Sequence, residues 1–481
     1  MSDSRIVAAV FGAAARPDKR AIVAPREALT YGELERRAGA VAKQLGAAPG
    51  NVVGLLYPNS PGFAAGLLGA LWAGKTAALF PFVAPPPVLK LMAAAAGVRT
   101  VLAAEELAPR AAEAGLDVVT TAAPAADSGP SPADRSQREA VLIYTSGTTG
   151  MPKAVALSEE NLLANVEGCR VAGPFSGDDV MLAILPLFHA FGLTVTLLLP
   201  LTLGGTVILE DRFVPRTSLQ SVETHRVTAM IGVPSQFRLL AKEPADVDAA
   251  SLRLCIAGAE RLGDQTAAAF ENRFERPLLQ GYGATEASPV VSFNRLGRNR
   301  PGSVGLPLPN ARVTIREDSH ELPAGDQGEV CIEGPSVMLG YYGQPEATAK
   351  KIPAGVLRTG DCGWLDGDGY LHLAGRADDM VKVAGEKVYP AEIERVLEQL
   401  EGVEEAAVVG ATSEARGTSL IAFVAARSGV TLDSAAVRAA ARERLEALKT
   451  PRSVHILEQL PRALGGKVDK KALLELASGE A

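Results

Sequence analysis

The densest cluster of chemically capable residues is the run Tyr144-Thr-Ser-Gly-Thr-Thr-Gly-Met-Pro-Lys153. Gly147 and Gly150 carry no side chain, so backbone N–H groups there can close on an anion. Thr145, Ser146, Thr148 and Thr149 add hydroxyls, and Lys153 adds a point charge. Such a loop suits phosphate. A Walker A loop needs four residues between its glycines and then Lys-Ser or Lys-Thr; here two intervene and Ala154 follows the lysine. The other candidates are scattered: His189 in Pro186-Leu-Phe-His-Ala-Phe-Gly192, Glu286 in Gly281-Tyr-Gly-Ala-Thr-Glu286, Asp361 in Thr359-Gly-Asp361, and Lys467 behind Gly465-Gly466. Each alone has a bland reading, as a packed histidine, a surface carboxylate, a turn or a solvated lysine.

These residues need elements to hold them. The run Ala140-Val-Leu-Ile-Tyr-Thr-Ser146 reads as a buried strand that stops in the glycine- and threonine-rich loop. Upstream, helical patterns such as the one from Tyr31 alternate with short apolar strands from Asn51 and Arg99, which predicts an α/β fold with a parallel sheet. Residues 121–139 look like an exposed connector, rich in Pro, Ser and charge. From about Pro301 short β runs broken by Gly and Pro predict a smaller β-rich part. After Arg376 an independent α+β pattern begins: helices in VYPAEIERVLEQL, LDSAAVRAAARERLEAL and KVDKKALLELA, strands in EEAAVVGA, SLIAFVAA and SVHILEQL. Pro390 followed by Glu392 and Glu394 is a helix-start signal.

The 481 residues bury an ample core without disulfide or metal staples. A formal charge of −7 offers no basic footprint, so nucleic acid is not expected as a partner. Cys169, Cys255, Cys331 and Cys362 show no CxxC spacing and read as reduced thiols of a cytoplasmic protein. The N-terminus lacks the charge order of a signal peptide. Ala190–Leu209 has no charge over twenty residues, but Pro200 and Gly204-Gly205 divide it, predicting a buried helix that runs into a buried strand. No membrane span is expected.

The string 144–153 resembles the signature loop of the acyl-adenylate-forming enzymes: acyl- and aryl-CoA synthetases, peptide-synthetase adenylation domains and beetle luciferases. Four further segments match in the same order: Gly281–Glu286, Thr359–Asp361, Gly375-Arg-Ala-Asp378 with Val383-Ala-Gly385, and Gly465-Gly-Lys467. The resemblance implies a large N-terminal domain (1–376) of layered sheets and helices with a small β-barrel-like part. It also implies a small, mobile α+β lid (379–481) that rotates about a hinge near Asp378. It implies ATP, Mg²⁺ and coenzyme A. The loop would hold the β- and γ-phosphates; Tyr282, between Gly281 and Gly283, would stack on adenine, Thr285 would bond the α-phosphate, and Glu286 would hold Mg²⁺. Gly258, Ala259 and Glu260 would line the adenine pocket. Asp361 and Arg376 would hold the ribose. Lys467 would bridge the carboxylate and the α-phosphate during adenylation. After rotation, Gly385 would line a thiol tunnel and Lys387 would help bind the thiol substrate.

His189 resembles the gate beside the reacting carboxylate in acyl-CoA synthetases. The loop around Phe188 offers no acid to pair with an ammonium, so a free α-amino acid is disfavoured. Gly281, Gly283 and Ala284 are small and leave room, which fits an aryl or short-to-medium acyl acid; the two remain open. The chain ends soon after Lys467, which leaves no fused carrier domain expected. The thiol is therefore coenzyme A or a phosphopantetheine arm on a separate carrier protein. A non-catalytic nucleotide-binding relative is the remaining alternative. Monomer and homodimer are both compatible with the sequence.

Overall fold

The computed structural model describes residues 4–13, 17–46, 48–120, 138–145, 153–383, 386–413, 417–427, 429–462 and 468–478. Ser146, Gly147, Thr148, Thr149, Gly150, Gly385 and Lys467 lie outside the described residues, as do the Lys387 side chain and most of the expected connector. By compactness the chain forms two units: 1–313 with 331–358, and 314–330 with 359–481.

The first unit is built on two sheets. One has seven strands in the order Gly340–Tyr341, Lys153–Ser158, Glu139–Thr145, Thr76–Leu79, Val52–Leu56, Thr100–Ala103, Asp117–Thr120. The other has nine, in the order Leu306–Pro307, Val290–Phe293, Leu278–Gly283, Leu254–Ala257, Ala229–Gly232, Val180–Ala183, Thr206–Leu209, Arg20–Ala24, Glu27–Thr30. Every neighbouring pair from Leu278–Gly283 to Arg20–Ala24 is parallel. Parallel strands are covered on both faces, so their sequences read as continuous apolar runs whose alternate residues enter different cores. Val141 and Ile143 enter one cluster while Leu142 enters another. In the nine-stranded sheet Met181, Val207 and Ile256 join that first cluster, whereas Leu182, Ile208 and Cys255 face a third. The first cluster thus draws on both sheets and on the helices between them, including Leu34, Ala38, Val41 and Leu45 of helix Tyr31–Gly46.

The uncharged stretch Ala190–Leu209 folds into this same core, and among the described residues no helix is long and apolar enough to cross a membrane. Its helix differs from expectation. Gly192–Leu198 is a wide π turn in which the Leu199 N–H reaches the Thr194 carbonyl. Thr196 Oγ1 donates to the Gly192 carbonyl at 2.6 Å, and Pro200 has no N–H to offer Thr196. Both features weaken the ordinary i→i+4 ladder, and the turn opens.

The β-rich part is a five-stranded sheet in the order His320–Glu321, Arg312–Glu317, Gly328–Glu333, Leu357–Leu365, Leu371–Arg376. In the second unit, strands Val403–Ser413, Gly417–Ala426 and Ser453–Leu457 form a three-stranded sheet. Period 2 again divides its faces. Val408 and Val424 pack with Ile393 and Leu397 of helix Pro390–Glu398 and with Val437 of helix Ser434–Arg444. Val409 and Phe423 pack with Leu473 and Ala477 of helix Lys470–Ser478. All four cysteines are buried free thiols, and burial pushes the Cys169 thiol up to about 12.

Candidate active site

Four segments, three of them singled out in the sequence, leave the same rim of the nine-stranded sheet. Leu278–Gly283, Leu254–Ala257, Ala229–Gly232 and Val180–Ala183 are consecutive parallel neighbours, so their carboxyl ends lie side by side. From these ends run Ala284-Thr285-Glu286, Gly258-Ala259-Glu260, Val233-Pro234 and Pro186–Gly192, respectively. The carboxyl edge of an open parallel sheet is where ligands bind, because loops from several strands converge there on exposed backbone. Tyr282, Thr285 and Glu286 are half-buried, and His189 and Ala259 are exposed.

Local packing holds the rim in shape. A Cβ on Gly258 would stand 2.9 Å from the Phe191 ring, so that glycine lets the two loops touch. Ala259 takes a left-handed φ of 68°, a strained choice for alanine of the kind found at binding sites. The Phe188 and His189 rings lie 4.3 Å apart, and Phe82 meets Phe188 edge-on at 5.9 Å. The room expected over Gly281 and Gly283 belongs to the protein itself. Cβ atoms there would meet Phe293 Cβ at 3.2 Å and the Pro289 carbonyl oxygen at 2.2 Å. These glycines admit their own hairpin.

Glu286 sits in a single 3₁₀ turn, Thr285–Ala287. Its carbonyl accepts the Met338 N–H at 2.8 Å, and its Oε1 accepts the Tyr341 hydroxyl at 2.9 Å. The Lys153 ammonium lies 5.0 Å from the centroid of the Tyr341 ring. Lys153 opens strand Lys153–Ser158, directly across from Thr145. Among the described residues no group of three or more His, Cys, Asp or Glu could hold a metal unaided. One carboxylate fits Mg²⁺, which keeps its waters and takes phosphate oxygens. Glu286 would hold such an ion only jointly with a nucleotide.

Residues outside the sequence motifs brace this rim. Asn59, buried, donates to the Leu185 carbonyl at 2.8 Å and accepts the Leu187 N–H at 2.9 Å, fixing the loop that carries His189. Helix Glu159–Ala172 starts on a capping box between Ser158 and Asn161, visible in the sequence as Ser-x-x-Asn. Asn161 also donates to the Pro335 and Val337 carbonyls. One turn on, Asn165 donates to the Ala287 and Val290 carbonyls at 3.1 and 2.8 Å and accepts the Val290 N–H at 3.2 Å. Spacing i, i+4 thus sets two buried amides behind Glu286.

In the second unit, Asp361 and Arg376 are cross-strand partners, joined by Arg376 Nη1 to Asp361 Oδ1 at 3.0 Å. The turn before them is pinned: Thr359 Oγ1 donates to the Val330 carbonyl at 2.7 Å, and the Gly360 N–H to Glu329 Oε1 at 3.0 Å. Gly360 adopts φ 78°, a conformation glycine takes without penalty. Beside Asp378, Lys470 Nζ lies 3.4 Å from Asp379 Oδ2 and 3.1 Å from Glu394 Oε1. Burial works against that ammonium, but the two carboxylates outweigh it and raise its pKa.

Comparisons with known proteins agree with this architecture. The family model described as AMP-binding enzyme matches residues 11–342, and that of the AMP-binding enzyme C-terminal domain matches residues 392–467. A sulfoacetate–CoA ligase of Cupriavidus necator is 35% identical over 97% of this chain and 96% of its own. A feruloyl-CoA synthase of Amycolatopsis is 36% identical over 92% and 93%. Among solved structures, ATP-bound MatB from Rhodopseudomonas palustris superposes with a TM-score of 0.91 at 30% identity, covering 99% of each chain. With its rim of loops, its capped helix behind Glu286 and its matched C-terminal unit, the chain belongs to the AMP-binding enzyme family.

Proposed function

We propose that the protein joins a carboxylic acid to AMP and then passes the acyl group to coenzyme A. The observation that carries this reading is the convergence at one rim of the Glu286 turn, the Gly258–Glu260 loop and the His189 loop, with Lys153 and Glu286 both placed against Tyr341. In the first step a carboxylate oxygen attacks the α-phosphorus of ATP, the α–β bridging bond breaks, and pyrophosphate leaves. The acid is a weak nucleophile facing like charge, so positioning and charge neutralisation are the work required. Lys153 and the loop 145–150 hold the β- and γ-phosphates; Thr285 hydrogen-bonds the α-phosphate; Tyr282 and residues 258–260 receive adenine; Asp361 and Arg376 receive the ribose. Magnesium, when bound, neutralises phosphate charge, and Glu286 holds it.

Lys467 stabilises the charge that develops between acid and α-phosphate. In the second step the thiol attacks the acyl carbon, the acyl–oxygen bond breaks, and AMP leaves with the former carboxylate oxygen. Rotation about Asp378 separates the two steps, bringing Gly385 and Lys387 to the thiol. The relatives named for sulfoacetate and feruloyl groups support a small acyl or aryl acid, received beside Phe188 and His189. The buried free cysteines fit a cytoplasmic setting.

The test is a panel of small aliphatic and aryl acids, each assayed for pyrophosphate release with and without coenzyme A. Acid-dependent release, with a thioester only when coenzyme A is present, is the expected result. Release without transfer to coenzyme A would favour a separate carrier protein, and no release with any acid would favour a non-catalytic binder. Lys467→Ala is expected to abolish adenylation yet spare thioester formation from supplied acyl-adenylate; equal loss of both would defeat the rotation.

A further inference from the structure

Tyr341 lies 55 residues from Glu286 in the chain, yet its hydroxyl donates to Glu286 Oε1 at 2.9 Å. Tyr341 is buried, 8% exposed, and the face of its ring carries the Lys153 ammonium 5.0 Å from the centroid. The backbone beneath is fixed on every side. Gly340 and Tyr341 pair with Ala156 and Val155 on the strand that Lys153 opens, and the Tyr342 N–H reaches the Ala154 carbonyl at 2.8 Å. The Tyr341 N–H donates to Thr348 Oγ1 at 2.9 Å, and the Met338 N–H ties the same segment to the Glu286 carbonyl. One side chain therefore contacts both the cation and the carboxylate through which this family's chemistry would meet the phosphates.

We infer that Tyr341 is a positioning residue that locks the Glu286 carboxylate for Mg²⁺ through its hydroxyl and seats Lys153 for phosphate through its ring. The inference rests on the reading of Glu286 as the metal-holding carboxylate. A hydroxyl donating to one carboxylate oxygen removes rotational freedom, while leaving the second oxygen for a cation. The ammonium over the ring is held by the negative face of the π-system without being neutralised, so its charge stays available to an anion. The hydroxyl and the ring have separable tasks.

Calorimetric titration of ATP into the full chain, with and without Mg²⁺, reads both tasks without turnover. Tyr341→Phe is expected to leave metal-free ATP binding unchanged and to reduce the tightening produced by Mg²⁺ about tenfold, the effect of losing a hydrogen bond to a charged group. Tyr341→Leu is expected to weaken ATP binding in both conditions, because the seat of Lys153 is lost as well. Glu286→Gln is expected to abolish the Mg²⁺ effect, and adding Tyr341→Phe to it is expected to cost nothing further. Additive losses in that double variant would assign Tyr341 a general structural role and overturn the inference. Wild-type Mg²⁺ dependence in Tyr341→Phe, with Glu286→Gln impaired, would overturn it equally. Full Mg²⁺ dependence in Glu286→Gln would defeat the reading of Glu286 itself, and the inference with it.

Discussion

A single added methyl at Gly283 is expected to disable adenylation. A Cβ at this position would lie 2.2 Å from the Pro289 carbonyl oxygen and 3.3 Å from Val290 Cα, whereas ordinary contact begins near 3.4 Å. The two strands must therefore part by about 1 Å. The Pro289 carbonyl is also the acceptor for the Ala284 N–H at 2.9 Å, the bond that closes the turn carrying Thr285 and Glu286. From behind, Asn165 holds the Ala287 and Val290 backbone, so the far side cannot yield freely. The displacement passes to Thr285 and Glu286. Overpacking of this kind costs about 1–3 kcal/mol of stability, and a misplacement of about 1 Å at reacting groups costs about 100-fold in rate. ATP–pyrophosphate exchange with a productive acid, beside a thermal melt, measures both. A folded Gly283→Ala protein with exchange kcat/KM reduced about 100-fold is expected. Activity within about threefold of wild type would refute the claim that this close approach sets the turn.

Asn165→Ala strips partners from two buried carbonyls and one N–H; at no less than about 1 kcal/mol per unsatisfied group the loss should be at least about 3 kcal/mol. Chemical denaturation reads it, and a loss under about 1 kcal/mol would contradict the bracing role. Arg376→Ala should change stability by less than about 1 kcal/mol, because the pair with Asp361 is half exposed on the arginine side. The same variant should raise the KM for ATP, and an unchanged KM would remove Arg376 from the ribose site. Burial raises the Glu210 pKa, only partly offset by hydrogen bonds from Ser218 and Ser221. In the unfolded chain this carboxyl ionises first as pH rises, so its contribution to stability falls from its unfolded pKa up through the raised folded one. Melts of Glu210→Gln against wild type should diverge in the variant's favour as pH rises above the ordinary glutamate pKa, and parallel curves would contradict the assignment.

Local signals reached far into this fold. The apolar runs at 140–143 and 254–257 are strands because covered parallel sheets require both faces apolar, and Ser-x-x-Asn at 158–161 starts its helix as a capping box should. Short apolar runs likewise marked the strands in EEAAVVGA, SLIAFVAA and SVHILEQL. What stayed hidden depends on long-range contact. No spacing in the chain reveals that the loops after residues 183, 232, 257 and 283 leave one rim, because strand order is a tertiary property. Asn161 announces its cap but not its bonds to Pro335 and Val337. Gly283 suggests open space, yet only the folded hairpin shows that Pro289 occupies it. Tyr341 sits in an unremarked Gly-Tyr-Tyr run whose meaning appears once it pairs beside Lys153.

In the proposed reaction the acid becomes bonded through its own oxygen to the α-phosphorus before the thiol attacks. An acid labelled with ¹⁸O in both carboxylate positions tests this directly, with mass spectrometry of the nucleotide and phosphate products after turnover with ATP and coenzyme A. One ¹⁸O atom in AMP and none in pyrophosphate is the expected result. Unlabelled AMP, or label appearing in inorganic phosphate alongside ADP, would place the attack at a different phosphorus and contradict it.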